Sequence, residues 1–330
     1  VGKHGTTVKL HGGGVVRVRP DGSGIELYAD GTRNIVEAAV GPLLDVFARD
    51  NTNDGGGWDI RLHHFSGGTQ HGYPRLFKNF GDEIIQPLAD YGGGSGCGAA
   101  WIDEPGLPAR WNNAPFTADW GRDWVYHHGL TPKGATMTAS QEEFLRLPRV
   151  TDLDVDGNSA VYAASWKGAS FTWVGTEVGF IARVSPKGYT PPAMPNFESL
   201  SPEKLVEALR SPSHRRRLEA QRSLLRRTAA ARVDRNSVLA LLRDVVADET
   251  ASKGSRVAAV NAMVLGFPQE SKGRLPRGMS DEVLAPAILH ALAGSAQPRG
   301  LVSPDLLERL LNSANPVVRR TAANSASRLV

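Results

Sequence analysis

The chain has 330 residues, with 38 Lys+Arg against 34 Asp+Glu, 41% apolar side chains and 22% charged ones, long enough for about two domains with cores of their own. No apolar run reaches the roughly 18–20 residues that a membrane-spanning helix needs. The single cysteine, Cys97, excludes an intramolecular disulfide, a CxxC zinc site and a CxxCH haem attachment within these residues. Val1-Gly2-Lys3-His4 offers neither an initiator Met nor a basic-then-apolar leader, so the chain is expected to begin inside a longer protein.

Composition divides the chain near residue 184: the first part holds 29 of the 36 Gly and all 7 Trp, which predicts two modules of different structure. Charge divides at the same place, since residues 1–184 carry 16 basic and 21 acidic side chains (net −5) and residues 185–330 carry 22 and 13 (net +9). In the first part apolar residues alternate over short runs that end in turn residues, the period of half-buried strands. Val16 and Val18, then Pro20-Asp21-Gly22-Ser23-Gly24, then Ile25, Leu27 and Ala29 read as a hairpin. Further strands are expected at 43–48, 60–65, 124–127, 150–155, 160–164 and 180–184, with a tight turn at Asp156-Gly157-Asn158. Many short strands with Gly-rich turns fit a sandwich, a barrel or a propeller. Long excursions such as residues 92–115, read as loops over one face, favour the propeller.

Residues 185–200 form a Pro-rich linker. From residue 201 the period changes to that of helices: Ser201-Pro202 starts one, and a second is expected over 214–230 with Leu218 and Leu225 inward and Arg215, Arg216, Arg217, Arg222, Arg226 and Arg227 around the rest. Pairs recur at 238–247 with 256–265 and at 304–311 with 317–329, while 266–279 reads as a loop or a distorted helix. Such pairs stack into an α-solenoid. The fold class is therefore multidomain β + α.

Several clusters invite a chemical reading. Asp152-x-Asp154-x-Asp156-Gly157 imitates the start of a calcium loop, but position twelve is Ala163 where a bidentate Glu is required, so a strand turning at Asp156-Gly157 is expected. Asp50, Asn51, Asn53 and Asp54 form an oxygen-rich loop that either caps its own backbone or contacts a metal or a sugar. His63-His64 and His127-His128 leave a strand on opposite faces and cannot chelate one metal, although one of each pair can face a central cleft. His71 is the candidate for proton transfer or ligation, with a hydrogen-bonded loop histidine as the alternative. Trp111, Asp119 and Trp120 suit sugar stacking and hydroxyl recognition, with blade packing as the alternative. The arginines of 215–227 lack aromatic partners for bases, which favours a solvated face, or one docked on the acidic half, over nucleic acid. P-loop, GxSxG, HExxH and dinucleotide motifs are absent.

Residues 201–330 resemble HEAT repeats. The first part resembles the later blades of the soluble glucose/sorbosone dehydrogenase-type β-propellers that use pyrroloquinoline quinone (PQQ). The resemblance lies in Asp21-Gly22-Ser23-Gly24-Ile25-Glu26-Leu27-Tyr28-Ala29-Asp30-Gly31-Thr32-Arg33-Asn34, in Asp50-Asn51, in Gly67-Gly68-Thr69-Gln70-His71-Gly72-Tyr73-Pro74, in Ala118-Asp119-Trp120-Gly121-Arg122 and in Arg149-Val150-Thr151-Asp152. Such a propeller fused to HEAT repeats resembles the central portion of large exported proteins of PVC-type bacteria that end in a c-type haem domain, a domain these residues lack.

The resemblance implies that Arg33 and Asn34 hold the cofactor, with Arg122 and Arg149 completing the anion cage, and that the Gly72, Tyr73 and Pro74 carbonyls lie near a Ca²⁺ ion. A planar guanidinium matches the carboxylates of PQQ, and calcium takes carbonyl oxygens. It further implies a sugar or alcohol substrate touched by Asp50, Asn51, Trp111, Asp119 and Trp120, a cytochrome or other protein as electron acceptor reached through the helices, and an exported or periplasmic location. The family's general base, a His from an earlier blade, has no counterpart here. Six blades of about 40–50 residues need roughly 250–300 residues, and residues 1–184 supply about four, so this segment alone is expected to be inactive. The alternative is a non-catalytic propeller and HEAT scaffold that binds a glycan or a protein.

Overall fold

The structure, a computed structural model, describes residues 2–52, 59–76, 79–271, 281–295 and 298–329. In chain order its strands are β1 (Gly13–Arg17), β2 (Glu26–Thr32), β3 (Ala39–Val40), β4 (Val46–Asn51), β5 (Ile60–Phe65), β6 (Thr69–Gln70), β7 (Ala89–Asp90) and β8 (Gly96–Ile102). They continue with β9 (Ala114–Asp119), β10 (Trp124–His127), β11 (Leu130–Lys133), β12 (Thr136–Ala139), β13 (Glu142–Arg146), β14 (Val150–Val155), β15 (Val161–Ser165) and β16 (Phe180–Val184). The helices are α1 (Pro202–Ala208), α2 (His214–Ala229), α3 (Arg235–Ala247), α4 (Lys253–Gly266), α5 (Leu284–Ala293), α6 (Pro304–Leu311) and α7 (Pro316–Leu329).

Four small sheets follow one another along the chain, in the orders β1-β2-β6, β3-β4-β5-β7, β8-β9-β10-β13 and β14-β15-β16, with β11-β12 as a separate ribbon. Neighbouring strands pair antiparallel, except that β6 runs parallel to β2. The expected hairpin is β1-β2, in register from Gly13↔Thr32 to Arg17↔Glu26. The sheets resemble successive propeller blades and pack face against face. Tyr28 and Ala29 meet Val46, Ala48 and Phe65, Phe47 meets Trp101, and Ile102 and Phe116 meet Val150 and Leu153. Burying such apolar area contributes about 25 cal/mol per Å².

Two expectations need correction here. Residues 92–115, read as a loop, contain the innermost strand of the third sheet, β8. Its small residues reflect close packing: a Cβ on Gly96 would stand 2.9 Å from Arg49, and one on Gly98 2.4 Å from Asp152. The strand expected at 43–48 begins only at Val46, because Leu44 takes a φ of 70° in the preceding turn and packs with Leu43 against the helical core.

The helices lie in packed pairs over one shared core, and Ser201, Ser213, Asp234, Ser252 and Ser303 cap their N-termini. Among the described residues no helix is long and apolar enough to cross a membrane. Helix α5 has no counterpart in the expected pairs, and residues 272–280 of the ambiguous stretch lie outside the described residues. The inward face of α2 is Arg217, Ala220, Ser223, Leu224 and Thr228, rather than Leu218 and Leu225.

That face turns on Arg217, which is 3% exposed and pairs with Asp103 at 2.6 Å while donating to the Ser211 carbonyl at 2.8 Å. Its neighbours dock on the acidic half as well. Arg216 donates to Gly157 O (2.7 Å) and to Asn158 Oδ1 (3.1 Å), and Arg215 pairs with Asp154. At α7, Asn324 donates to Ser66 O (3.0 Å) and Arg328 pairs with Glu26. Asp103 follows the end of β8, Gly157 the end of β14, and Glu26 begins β2. The helices therefore cover one set of strand ends and leave the other set to the residues described next. Truncating one partner of a buried ion pair strands the other, so Arg217→Ala is expected to lower unfolding free energy by about 3 kcal/mol or more. Urea denaturation measures it, and a loss under about 1 kcal/mol would mean that the pair does not hold the two parts together.

Candidate functional site

Thr32 ends β2, and Arg33 and Asn34 follow it. Beside them, the turn after β6 is held by His71 N donating to Asp30 O (2.9 Å) and Tyr73 N donating to Gly31 O (2.8 Å). Gly31 and Gly72 face each other across this contact with φ of 78° and 91°, a backbone region that favours glycine. Arg33 and the Gly72–Tyr73–Pro74 turn thus share one corner of the first sheet.

Strand β4 supplies the third side. The Asp50 carboxylate, 1% exposed, accepts from Asn34 N at 2.7 Å and from Arg33 N at 3.0 Å through each oxygen. Burial pushes its pKa up, against the pull of those two N–H groups and of the Arg61 and Arg33 charges. Asp50 therefore shapes the Arg33–Asn34 turn from inside and is a positioning residue. Arg33 Nη1 donates to Asn51 O (3.3 Å). Beside it, Thr32 Oγ1 and His63 Nε2 are enclosed without a hydrogen-bond partner, as is Asn51 Oδ1 on the other face of β4. Enclosed polar atoms without a partner are uncommon in a native protein.

Behind the corner, His63 and His71 share a hydrogen bond between their Nδ1 atoms (3.1 Å), and His63 Nε2 stands 3.9 Å from Asp50. Burial lowers both pKa values, His63 well below the usual range and His71 to about 4. At neutral pH the two rings are uncharged, one donating and the other accepting. His71 is enclosed and reaches the corner through His63. His64 and His128 point to the opposite faces of their strands, bonding Asp45 (2.9 Å) and Thr117 (2.7 Å).

Arg122, Arg149, Asp119 and Trp120 gather beyond the second sheet but at the same strand ends, since Asn51 pairs with Ile60, Ile60 N donates to Gly92 O (2.7 Å), and Arg122 Nη2 donates to the adjoining Tyr91 O (3.0 Å). Asp119 is fully enclosed. It pairs with Arg49 (3.0 Å) and accepts from Ser95, Gly121 and Arg122 N–H groups, so its oxygens face the protein rather than a substrate. Arg149 lies over the Trp120 ring at 4.0 Å, and Trp120 also meets Trp166 and Phe171.

Trp111 sits at the opposite strand ends, edge-on to His127 and Phe144, while Asn112 closes a loop onto Glu104. It is a packing aromatic, apart from the other candidates. Asp152, Asp154 and Asp156 diverge as a hairpin requires: Asp156 caps its turn, Asp154 pairs with Arg215, and Asp152 bonds Glu37. Burial, then the Asp152 and Asp154 carboxylates, push Glu37 up to about 7 against the Ala99 N–H. Among the described residues no group of three or more His, Cys, Asp or Glu could hold a metal, and Asn53 and Asp54 lie outside them. Sequence reasoning missed Arg49 and Thr32, and left open which of His63 and His64 faces a cleft. The charged pair Arg49-Asp50 inside a strand of otherwise buried residues was the available signal for the first.

No family model and no curated protein sequence matches the chain. Among solved structures it is similar to the PQQ-bound aldose sugar dehydrogenase of Streptomyces coelicolor, at 19% identity over 53% of this chain and 52% of that one, with a TM-score of 0.41. It is also similar to an oxidoreductase described as a glucose dehydrogenase from Thermus thermophilus, at 17% identity over 48% and 47%, with a TM-score of 0.40. The chain spans about half the length of these structures.

The histidine pair makes stability depend on pH. Below its ordinary value near 6.5, His71 takes up a proton in the unfolded chain before it does so in the folded one, so its contribution is complete above pH 6.5 and is lost as pH falls toward 4. The full effect of this one group is on the order of 3 kcal/mol. Urea midpoints measured between pH 7.5 and 4 should fall with pH, and His71→Gln should flatten part of that slope; an unaltered slope would show that His71 titrates normally. Asp50→Ala should free the Arg33–Asn34 turn, with faster amide hydrogen exchange at both residues and a stability loss of about 2 kcal/mol or more.

Proposed function

We propose that residues 1–184 are part of a PQQ- and calcium-dependent sugar or alcohol dehydrogenase of the propeller type, exported or periplasmic, and that residues 201–330 are HEAT-like repeats. The observation that carries this reading is the convergence of Arg33 with the Gly72–Pro74 turn on one corner that also encloses the unpartnered Thr32 Oγ1 and His63 Nε2. That donor set fits the cofactor: a guanidinium for a carboxylate, and Thr32 and His63 for further polar edges. Arg33 and Asn34 would hold PQQ, with Arg122 and Arg149 along the same strand ends. The turn carbonyls would face Ca²⁺, Gly72 sharing the oxygen that already accepts from Leu76 N (2.7 Å).

When bound, PQQ supplies an acceptor for the hydride of a carbinol carbon. This chain's own part is binding and orientation: Asp50 fixes the backbone that carries Arg33, and the His63–His71 pair keeps the wall behind it uncharged. The general base comes from outside the matched residues. The helices spend Arg215, Arg216 and Arg217 on the β part, so an electron-accepting cytochrome would meet their remaining surface. A second reading, a scaffold that binds a glycan, draws on Phe171, 90% exposed beside Trp120, and on Trp173, 83% exposed two residues on.

Titration of the chain with PQQ and Ca²⁺, followed by quinone absorbance, tests the first reading. Saturable binding is expected, and Arg33→Ala should weaken it by about tenfold or more, the worth of a charge-assisted hydrogen bond. Unchanged affinity in Arg33→Ala removes its assigned role. Absent quinone binding together with retention on an oligosaccharide column, lost in Trp173→Ala, would establish the scaffold instead.

A further inference from the structure

A cavity of about 1230 Å³ opens between the first sheet and the helices, at the strand ends opposite Arg33. Its walls include Val15, Val16, Val18, Ile25, Leu44 and Leu265. Val16, Val18 and Leu265 are 42%, 48% and 47% exposed, so these apolar side chains meet water rather than one another.

Into this space come Arg17 from β1, Arg19 just beyond it and Arg328 from α7, with Arg299 at its exposed edge. One carboxylate, Glu26, serves both Arg17 (2.5 Å) and Arg328. Arg19 reaches across to Ser295 O (2.6 Å) and Gly294 O (3.3 Å), and its Nε is enclosed without a partner. Burial, then the charges of Arg17 and Arg19, lower the pKa of Arg328. His290, held at about 4 mainly by burial, adds no charge at neutral pH. Guanidinium groups that repel one another around Glu26, the one carboxylate among the described lining residues, form a site short of negative charge, the nearby Asp45 being bonded to His64.

We propose that this cavity binds a long-chain carboxylate, its apolar body against Val16, Val18 and Leu265 and its head paired with Arg19 and Arg328. A small hydrophilic anion would leave the apolar walls wet, and a neutral lipid would leave the arginines without counter-charge. The volume exceeds the roughly 300–1,000 Å³ of ordinary ligand pockets, which suits an extended chain better than a compact metabolite.

The test is binding of cis-parinaric acid to the whole chain, followed by its fluorescence, with oleate, oleyl alcohol and acetate as competitors. Oleate should displace the probe at least about tenfold more tightly than oleyl alcohol, and acetate should not compete. Arg19→Gln should weaken oleate by about the same factor. Because Arg19 also joins the two parts, Val18→Glu provides the control: at an exposed wall position it supplies a competing charge, and it should weaken oleate about tenfold with an unchanged unfolding midpoint. Absence of probe binding, equal affinity for the alcohol, or undiminished binding by Val18→Glu overturns the proposal.

Discussion

Strand β4 buries opposite charges back to back. Successive strand residues face opposite sides of a sheet, so Arg49 points into the third sheet and Asp50 into the first, each 1% exposed. Neither charge can stay there unmatched. Arg49 takes Asp119 and Thr117, with its guanidinium carbon 4.9 Å from the centre of the Tyr126 ring. Asp50 takes the N–H groups of Arg33 and Asn34. The relative placement of three sheets, and the shape of the corner at Arg33, follow from meeting these two demands.

What the sequence revealed was what local physics determines. Alternation located β5, β10, β14 and β16 to the residue, and Ser201-Pro202 marked the start of α1. Strand β8 escaped because its Gly and Ala residues answer to neighbours in other sheets, which no local period records. Helix α5 escaped for the converse reason: eight of its ten residues are buried, so it has no polar face to set a helical period. The arginines of 215–227 could be read as solvated or as docked on the acidic half, but the partner of Arg217 could not be read, because Asp103 lies 114 positions away.

The candidate corner was legible to the same extent. Arg33, Asn34 and the Gly72 turn could be named from motif resemblance, and the parallel pairing of β6 with β2 brings them together. The oxygen-rich loop at Asp50 could be read as a ligand site or as a cap on its own backbone, and neither names its role: its carboxylate is consumed by the N–H groups of Arg33 and Asn34, on another strand's end. Asp119 repeats the lesson one sheet further on. In both cases burial turns an apparent substrate contact into a fixed support.

The opposed charges of the two halves find their use in the same geometry. A net +9 helical part meets a net −5 strand part, but the contact is made by specific pairs at one set of strand ends, not by diffuse attraction, which salt would screen. Strand β2 then joins two different environments: Glu26 at the helix-facing end, among arginines, and Thr32 at the other, beside Arg33. Six residue steps separate them, about 20 Å of extended chain. A ligand at either end would act on its own surroundings, because a strand pinned on both sides offers no second arrangement to carry a signal between them.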